Sequence, residues 1–221
     1  MLNRKVELLS YLSSLQCELK KINLETEMIC QLEDSIKNAE LLIPVVGAFS
    51  SGKSSLINSL IGNSILPVGL TPETSLATEI RFSEKEFVEA VKNDSESDNY
   101  SIEELNIISE KAHLYKHLKV FINNEIIKKI EPLILVDMPG FNSPLDLHNQ
   151  AIMQYINKGS HYIFITSVED GTLTRSMIRQ LSDILEFDRD FTSFLSKTNL
   201  KSAEDTAKIQ NLIDTQIKNN F

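Results

Sequence analysis

Gly47-Ala48-Phe49-Ser50-Ser51-Gly52-Lys53-Ser54 is the stretch that decides the fold. It follows the apolar run Leu41-Leu42-Ile43-Pro44-Val45-Val46, which reads as a buried strand, and precedes Ser55-Leu56-Ile57-Asn58-Ser59-Leu60-Ile61, which reads as a helix stopped by Gly62. A glycine-framed loop between strand and helix is a phosphate cradle. Backbone N–H groups wrap the phosphates and the helix N-terminus adds partial positive charge. Lys53 is spaced to reach the β- and γ-phosphates and Ser54 to ligate magnesium. Gly47, Phe49, Ser50, Ser51, Gly52 and Ser55 complete the expected nucleotide-binding stretch.

Working downstream, a loop rich in turn residues (Leu66-Pro67-Val68-Gly69-Leu70-Thr71-Pro72-Glu73-Thr74) leads into a strand from Ala77 to Phe82. Thr74 is the expected hydroxyl that completes magnesium coordination when triphosphate binds, with Thr71 and Thr78 as rivals. Residues 92–100 read as a polar insertion, Ile102–His117 as a helix, and Leu118–Asn123 with Ile126–Ile130 as a hairpin turning at Asn123-Asn124. Leu133-Ile134-Leu135-Val136-Asp137-Met138-Pro139-Gly140 then places a carboxylate and Pro-Gly directly after a buried strand. Asp137 can hold a magnesium-bound water there, and the Gly140 N–H can sense the γ-phosphate. Further on are a strand at Tyr162–Val168, a helix at Thr172–Phe187, a strand at Thr192–Ser196 and a helix at about Ala203–Lys218. Strands alternating with helices predict an α/β P-loop NTPase, its mostly parallel sheet covered by helices on both faces.

Ser196-Lys197-Thr198-Asn199 follows a strand where a base-recognition loop belongs. Lys197 would cover one face of the purine. Asn199 stands where an aspartate would accept both guanine donors, and its amide offers one acceptor and one donor group. That predicts weak guanine selectivity, with XTP bound at least as well as GTP; the alternative is that Asn199 lies outside the pocket and the base is read by backbone or by a further motif.

Upstream, residues 2–40 hold neither Gly nor Pro and carry Leu8, Leu12, Leu15, Leu19 and Ile22 at helical spacing. Leu24, Met28, Leu32 and Ile36 continue that spacing after a phase change near Asn23, predicting one kinked helix or a helical pair. Composition narrows the function. A net charge of −9 over 221 residues leaves no basic footprint for nucleic acid. Two cysteines in an acidic chain fit a reducing cytosol, and no apolar run approaches the length of a membrane span. His113 and His117 are spaced i, i+4 on the expected helix and read as a surface pair.

The motifs Val46–Asn58, Leu66-Pro67-Val68-Gly69, Thr71-Pro72-Glu73-Thr74 and Asp137-Met138-Pro139-Gly140-Phe141, in this order, resemble the dynamin superfamily of large GTPases, most closely its bacterial, mitofusin-like branch. The resemblance implies magnesium-dependent GTP hydrolysis coupled to assembly across the nucleotide face and to membrane remodelling. It implies Lys53, Ser50, Thr74 and Gly140 as catalytic groups, Ser54, Thr74 and Asp137 around the metal, and Lys197 and Asn199 at the base. Residues 1–40 would be a neck- or stalk-like helical segment, and residues 41–221 a GTPase domain incomplete at its C-terminal end. Self-association and a partner dynamin-like subunit are expected, in the cytoplasm or peripheral at the inner membrane, with membrane contact only through parts absent from this sequence. The chain departs from the family at Phe49, where many members carry a polar residue that orients the attacking water. Two alternatives remain open: an Era-like small GTPase, or a nucleotide-binding interaction module with little turnover.

Overall fold

The computed structural model describes residues 2–68, 76–94, 96–140, 155 and 158–221, and divides into two compact units, residues 1–41 and 42–221. The first unit is a helical pair, α1 (Leu2–Lys21) and α2 (Glu27–Lys37), broken where Asn23 takes a left-handed φ of 56°. Ser13 donates to Glu33 at 3.0 Å, Gln16 to Cys30 at 2.7 Å and Lys5 to the Lys37 carbonyl at 3.1 Å, so the two helices run antiparallel. Leu12 is buried as its stripe predicts and Leu15 and Leu19 are partly covered, but Leu8 and Ile22 of the same stripe are exposed. The second stripe is corrected: Leu24, Met28 and Leu32 are exposed, while Ile29, Glu33 and Ile36 are at least partly covered. A carboxylate, satisfied by Ser13 and Lys37, sits on that covered face and hid it from an apolar count.

The second unit is an eight-stranded sheet: β1 (Leu41–Gly47), β2 (Thr78–Phe82), β3 (Phe87–Lys92), β4 (Ser97–Tyr100), β5 (Tyr115–Ile122), β6 (Leu133–Asp137), β7 (Tyr162–Ser167) and β8 (Phe191–Ser196). Its spatial order is β4-β3-β5-β2-β6-β1-β7-β8. Pairing is parallel for β1–β7, β7–β8 and β2–β5, and antiparallel for β2–β6, β3–β5 and β3–β4. Among the described residues its α-helices are α3 (Lys53–Ile61), α4 (Leu105–Glu110), α5 (Glu125–Ile130), α6 (Arg175–Glu186) and α7 (Ala203–Asn220). Because side chains alternate across a strand, Val45, Leu135 and Ile165 enter one apolar cluster with Ile57, Ile61, Ile108 and Ile127. Val46, Val136 and Phe164 enter another with Met177, Leu181, Ile184 and Ile213. Thus α3, α4 and α5 cover one face, and α6 and α7 the other.

Three expectations between the P-loop and Asp137 are corrected. The polar stretch 92–100 is no insertion: Ser97–Tyr100 pairs with β3 as the outermost strand, where polar residues are tolerated. Lys92 binds Asp98 at 2.8 Å, and the Tyr100 and Tyr115 hydroxyls meet at 2.6 Å. The helix expected over Ile102–His117 ends at Glu110, and β5 begins at Tyr115, where pairing with β3 supplies its hydrogen bonds. His113 and His117 therefore share no helix. The hairpin at Asn123-Asn124 is a strand-to-helix junction: the Asn124 side chain caps α5, accepting from the Ile126 and Ile127 N–H groups. Asn favours caps and turns alike, so the dipeptide alone does not distinguish them.

Candidate functional site

The C-terminal ends of β1, β6, β7 and β8 converge, where ligands of α/β sheets bind. β1 ends at Gly47, paired with Ile165 of β7, and Ser167 pairs with Ser196 of β8. The loop leaving Gly47 is closely fitted. A Cβ on Gly47 would lie 2.1 Å from the Ile165 carbonyl oxygen. Ser50 holds a left-handed φ of 55°, and the Ser51 N–H donates to the Ala48 carbonyl at 3.2 Å. Ser196 Oγ donates to the Ser51 carbonyl at 2.6 Å and lies 3.2 Å from the Thr166 carbonyl, tying the loop to β7 and β8. Ser51 Oγ is buried without a hydrogen-bond partner among the described residues. Such an orphan inside a loop of N–H groups fits a site built for an oxyanion.

Lys53 is buried, and its ammonium donates to the Ala48 carbonyl at 2.9 Å and the Gly47 carbonyl at 3.4 Å. Burial pushes its pKa below the ordinary value, with the Asp137 charge acting in the opposite direction. Ser54 Oγ donates to Asp137 Oδ2 at 2.6 Å, bridging 83 residues of sequence. A hydroxyl and a carboxylate in contact are the hard oxygen donors magnesium takes, alongside water and phosphate oxygens. Ser54 and Asp137, both expected at a metal site, are thus brought together. Gly140 lies against the P-loop: a Cβ there would sit 2.7 Å from Phe49 Cα and 3.0 Å from Phe49 N. The phosphate loop and the Asp137–Gly140 turn are thus one packed object.

Other predicted residues are more dispersed. Gly52 caps α3, Ser55 is exposed on its first turn, and the Phe49 ring is 44% exposed. Thr71 and Thr74 lie outside the described residues. Their rival Thr78 is buried in β2 opposite Asp137, its hydroxyl 3.3 Å from the Leu76 carbonyl. Lys197 adopts a left-handed φ of 56° before the single turn Thr198–Leu200, and its ammonium binds Glu169 Oε2 at 2.5 Å. Asn199 is exposed on that turn.

Glu169 was not among the residues expected at the site, and Ser196, quoted with the base loop, was given no role as the P-loop's tether. Asn58 was also passed over. Its buried side chain donates to the Leu66 carbonyl at 2.8 Å and accepts from the Ile65 and Leu66 N–H groups. That contact fixes the chain leaving α3. A polar Asn on an otherwise apolar helix face is the signal that pointed to it.

Comparison with known proteins agrees with this geometry. Residues 43–198 match the Dynamin family. Dynamin-like protein 2 of Campylobacter jejuni is 31% identical over 117 residues, covering 53% of this chain and 18% of its own length. An uncharacterized protein from the xynA 3′ region of Caldicellulosiruptor is 28% identical over 204 residues, covering 88% of this chain and 50% of its own. A chain from an oligomerised bacterial dynamin pair, described in long-range sensing and tethering of membranes, shares the fold with a TM-score of 0.59. It is 18% identical, with 90% of this chain and 33% of that chain covered. The chain therefore spans half or less of the length of these relatives. With a match running from the P-loop strand to residue 198, just past the end of β8, the chain belongs to the dynamin family and carries its GTPase domain.

Proposed function

We propose that residues 41–221 bind GTP and hydrolyse it, and that in the whole protein this turnover drives self-association across the nucleotide face and membrane remodelling. The observation that carries the reading is the 2.6 Å contact of Ser54 with Asp137 beside the packing of Gly140 on Phe49. It joins the phosphate cradle to the groups that would sense the γ-phosphate. In the mechanism, Lys53 leaves its own loop carbonyls for the β- and γ-phosphate oxygens, with the P-loop N–H groups and Ser51 Oγ completing the cradle. Water attacks the γ-phosphate in line, oriented from the side of Ser50, Thr74 and the Gly140 N–H. Ser54, Asp137 and Thr74 would hold magnesium, which would supply positive charge against the phosphates.

Phe49 offers the water no hydrogen bond, so intrinsic turnover is slow, below the ~1–10³ s⁻¹ of typical enzymes. The same residue supports a second reading, a nucleotide-controlled interaction module with little turnover. The helical pair of residues 1–41, a compact unit of its own, supports assigning residues 1–40 to a neck or stalk. No helix among the described residues is long and apolar enough to cross a membrane. We place the protein in the cytoplasm, peripheral at the inner membrane, alongside a partner dynamin-like subunit.

Single-turnover GTP hydrolysis, with and without magnesium and lipid vesicles, tests the reading. Slow magnesium-dependent turnover, faster on vesicles, is expected. Tight GTP binding without turnover under every condition would leave the interaction module, and no binding would overturn both.

A further inference from the structure

Guanine presents two donors on one edge, N1–H and the exocyclic amine, and both need an acceptor. The residue expected from the sequence to accept from both is Asn199, an amide, and its turn is exposed. The structure brings a carboxylate to the same loop from another strand. Glu169 stands two residues past the end of β7, and its Oε2 takes the Lys197 ammonium at 2.5 Å. The turn carrying it is pinned by its own hydrogen bonds. The Ser167 N–H donates to Asp170 Oδ2 at 3.1 Å, and the Glu169 N–H donates to Ser167 Oγ at 3.1 Å. Ser196, the residue before Lys197, is bonded to the P-loop at the Ser51 carbonyl. Glu169 is therefore held at the junction of the base loop and the phosphate loop.

The Lys197 ammonium and the longer 3.5 Å approach of Ser167 Oγ both fall on Oε2 of this carboxylate. An ionised carboxylate has about four lone-pair sites over two oxygens. Its capacity thus exceeds these two contacts, and it can accept a pair of N–H donors. Lys197, lying along the purine face, would carry Glu169 to the base edge.

We propose that Glu169 is the specificity-determining acceptor for guanine in this chain, supplying from the end of β7 the carboxylate that Asn199 lacks. The assignment rests on the GTPase reading above. It replaces the weak selectivity expected from Asn199 alone with a clear preference for GTP over XTP, since xanthine puts a carbonyl where guanine has its amine and would face the carboxylate with an acceptor. Lys197 next to it holds the Glu169 carboxyl below the ordinary carboxylate range, so the acceptor is charged at neutral pH.

The test is competition of GTP, XTP and ATP against a fluorescent guanine nucleotide, on the parent, Glu169→Gln, and Glu169→Gln combined with Asn199→Asp. The parent should rank GTP first. Glu169→Gln, isosteric at an exposed position, should lower GTP affinity about ten- to 100-fold relative to XTP. Adding Asn199→Asp should restore the GTP preference. If Glu169→Gln changes the three affinities by the same factor, Glu169 merely positions Lys197 and the proposal fails. It fails equally if the ranking does not move, or if the parent already favours XTP. A parent that binds none of the three overturns the GTPase reading instead, a result separate from either.

Discussion

Gly140→Ala is the perturbation that probes most directly whether the P-loop and the Asp137–Gly140 turn act as one object. The added methyl would sit 2.7 Å from Phe49 Cα, 3.0 Å from Phe49 N and 3.2 Å from Phe49 Cβ. Ordinary carbon contacts lie near ~3.5–4 Å, so one of the two segments must give by roughly 1 Å. Two of the three clashing atoms are backbone, so a side-chain rotation cannot relieve them. Inserting a methyl into a tight site costs about 1–3 kcal/mol. If the P-loop yields, that cost falls on the phosphate cradle and GTP affinity drops roughly five- to 150-fold. Gly62→Ala is the matched control. Its methyl meets nothing within 4 Å, but φ is +68°, so it carries a backbone cost of about 1–2 kcal/mol with no contact to the cradle. Thermal unfolding and calorimetric GTP titration on both variants give the comparison. Both should lose stability, and only Gly140→Ala should lose GTP affinity. A Gly140→Ala protein with lowered Tm and parental affinity would refute the coupling, because the turn would have moved without disturbing the cradle.

Three further outcomes are expected. Lys53→Ala should weaken GTP binding by roughly 100-fold or more with little change in Tm, because in the unliganded fold the desolvation of the buried ammonium offsets its hydrogen bonds to the Ala48 and Gly47 carbonyls; unchanged affinity by titration would remove the P-loop assignment. Asn58→Ala should lower stability by about 2–4 kcal/mol in denaturant melts, since it strips partners from the Ile65 and Leu66 N–H groups and the Leu66 carbonyl; a loss below ~1 kcal/mol would mean water replaces it. His117, near Glu79, Lys116, Lys119 and Lys158, has its pKa pushed by burial below the ordinary 6.5. The unfolded chain therefore takes up this proton first, so the contribution is present above about pH 6.5 and lost as pH falls through the folded value; His117→Asn should flatten the acid limb of a stability–pH curve, and an unaltered limb would rule His117 out.

The legible parts were those where one local rule sufficed. The P-loop needs a strand, glycines, a lysine and a helix in sequence, and all lie within Leu41–Ile61. Asp137-Met138-Pro139-Gly140 could be placed because an unbroken apolar run ends in it. What escaped were residues whose structure depends on distant partners. Ser97–Tyr100 is a strand because β3 offers it an edge, not because of its own composition. Composition fails for α5 in the same way. Ile126, Ile127 and Ile130 suit a strand, yet Asn124 caps the segment and donates to the Ile61 carbonyl of α3 at 2.8 Å, fixing a helix.

Glu169 shows why the candidate site was only partly legible. Nothing local marks it: it is an exposed acid after a strand, a common place for one. Its meaning comes from the parallel pairing of β7 with β8, which sets Ser167 beside Ser196 and so carries residue 169 to Lys197. On the assignment made above, the sheet register does for the base what the P-loop does for the phosphates, bringing charge to a fixed edge. The difference is range: the proposed phosphate contacts come from adjacent residues of one loop, and the Glu169–Lys197 contact from residues 28 apart. A motif is read along the chain, whereas selectivity is built across strands. The departure at Asn199 is therefore best judged only after the neighbouring strand has been placed beside it.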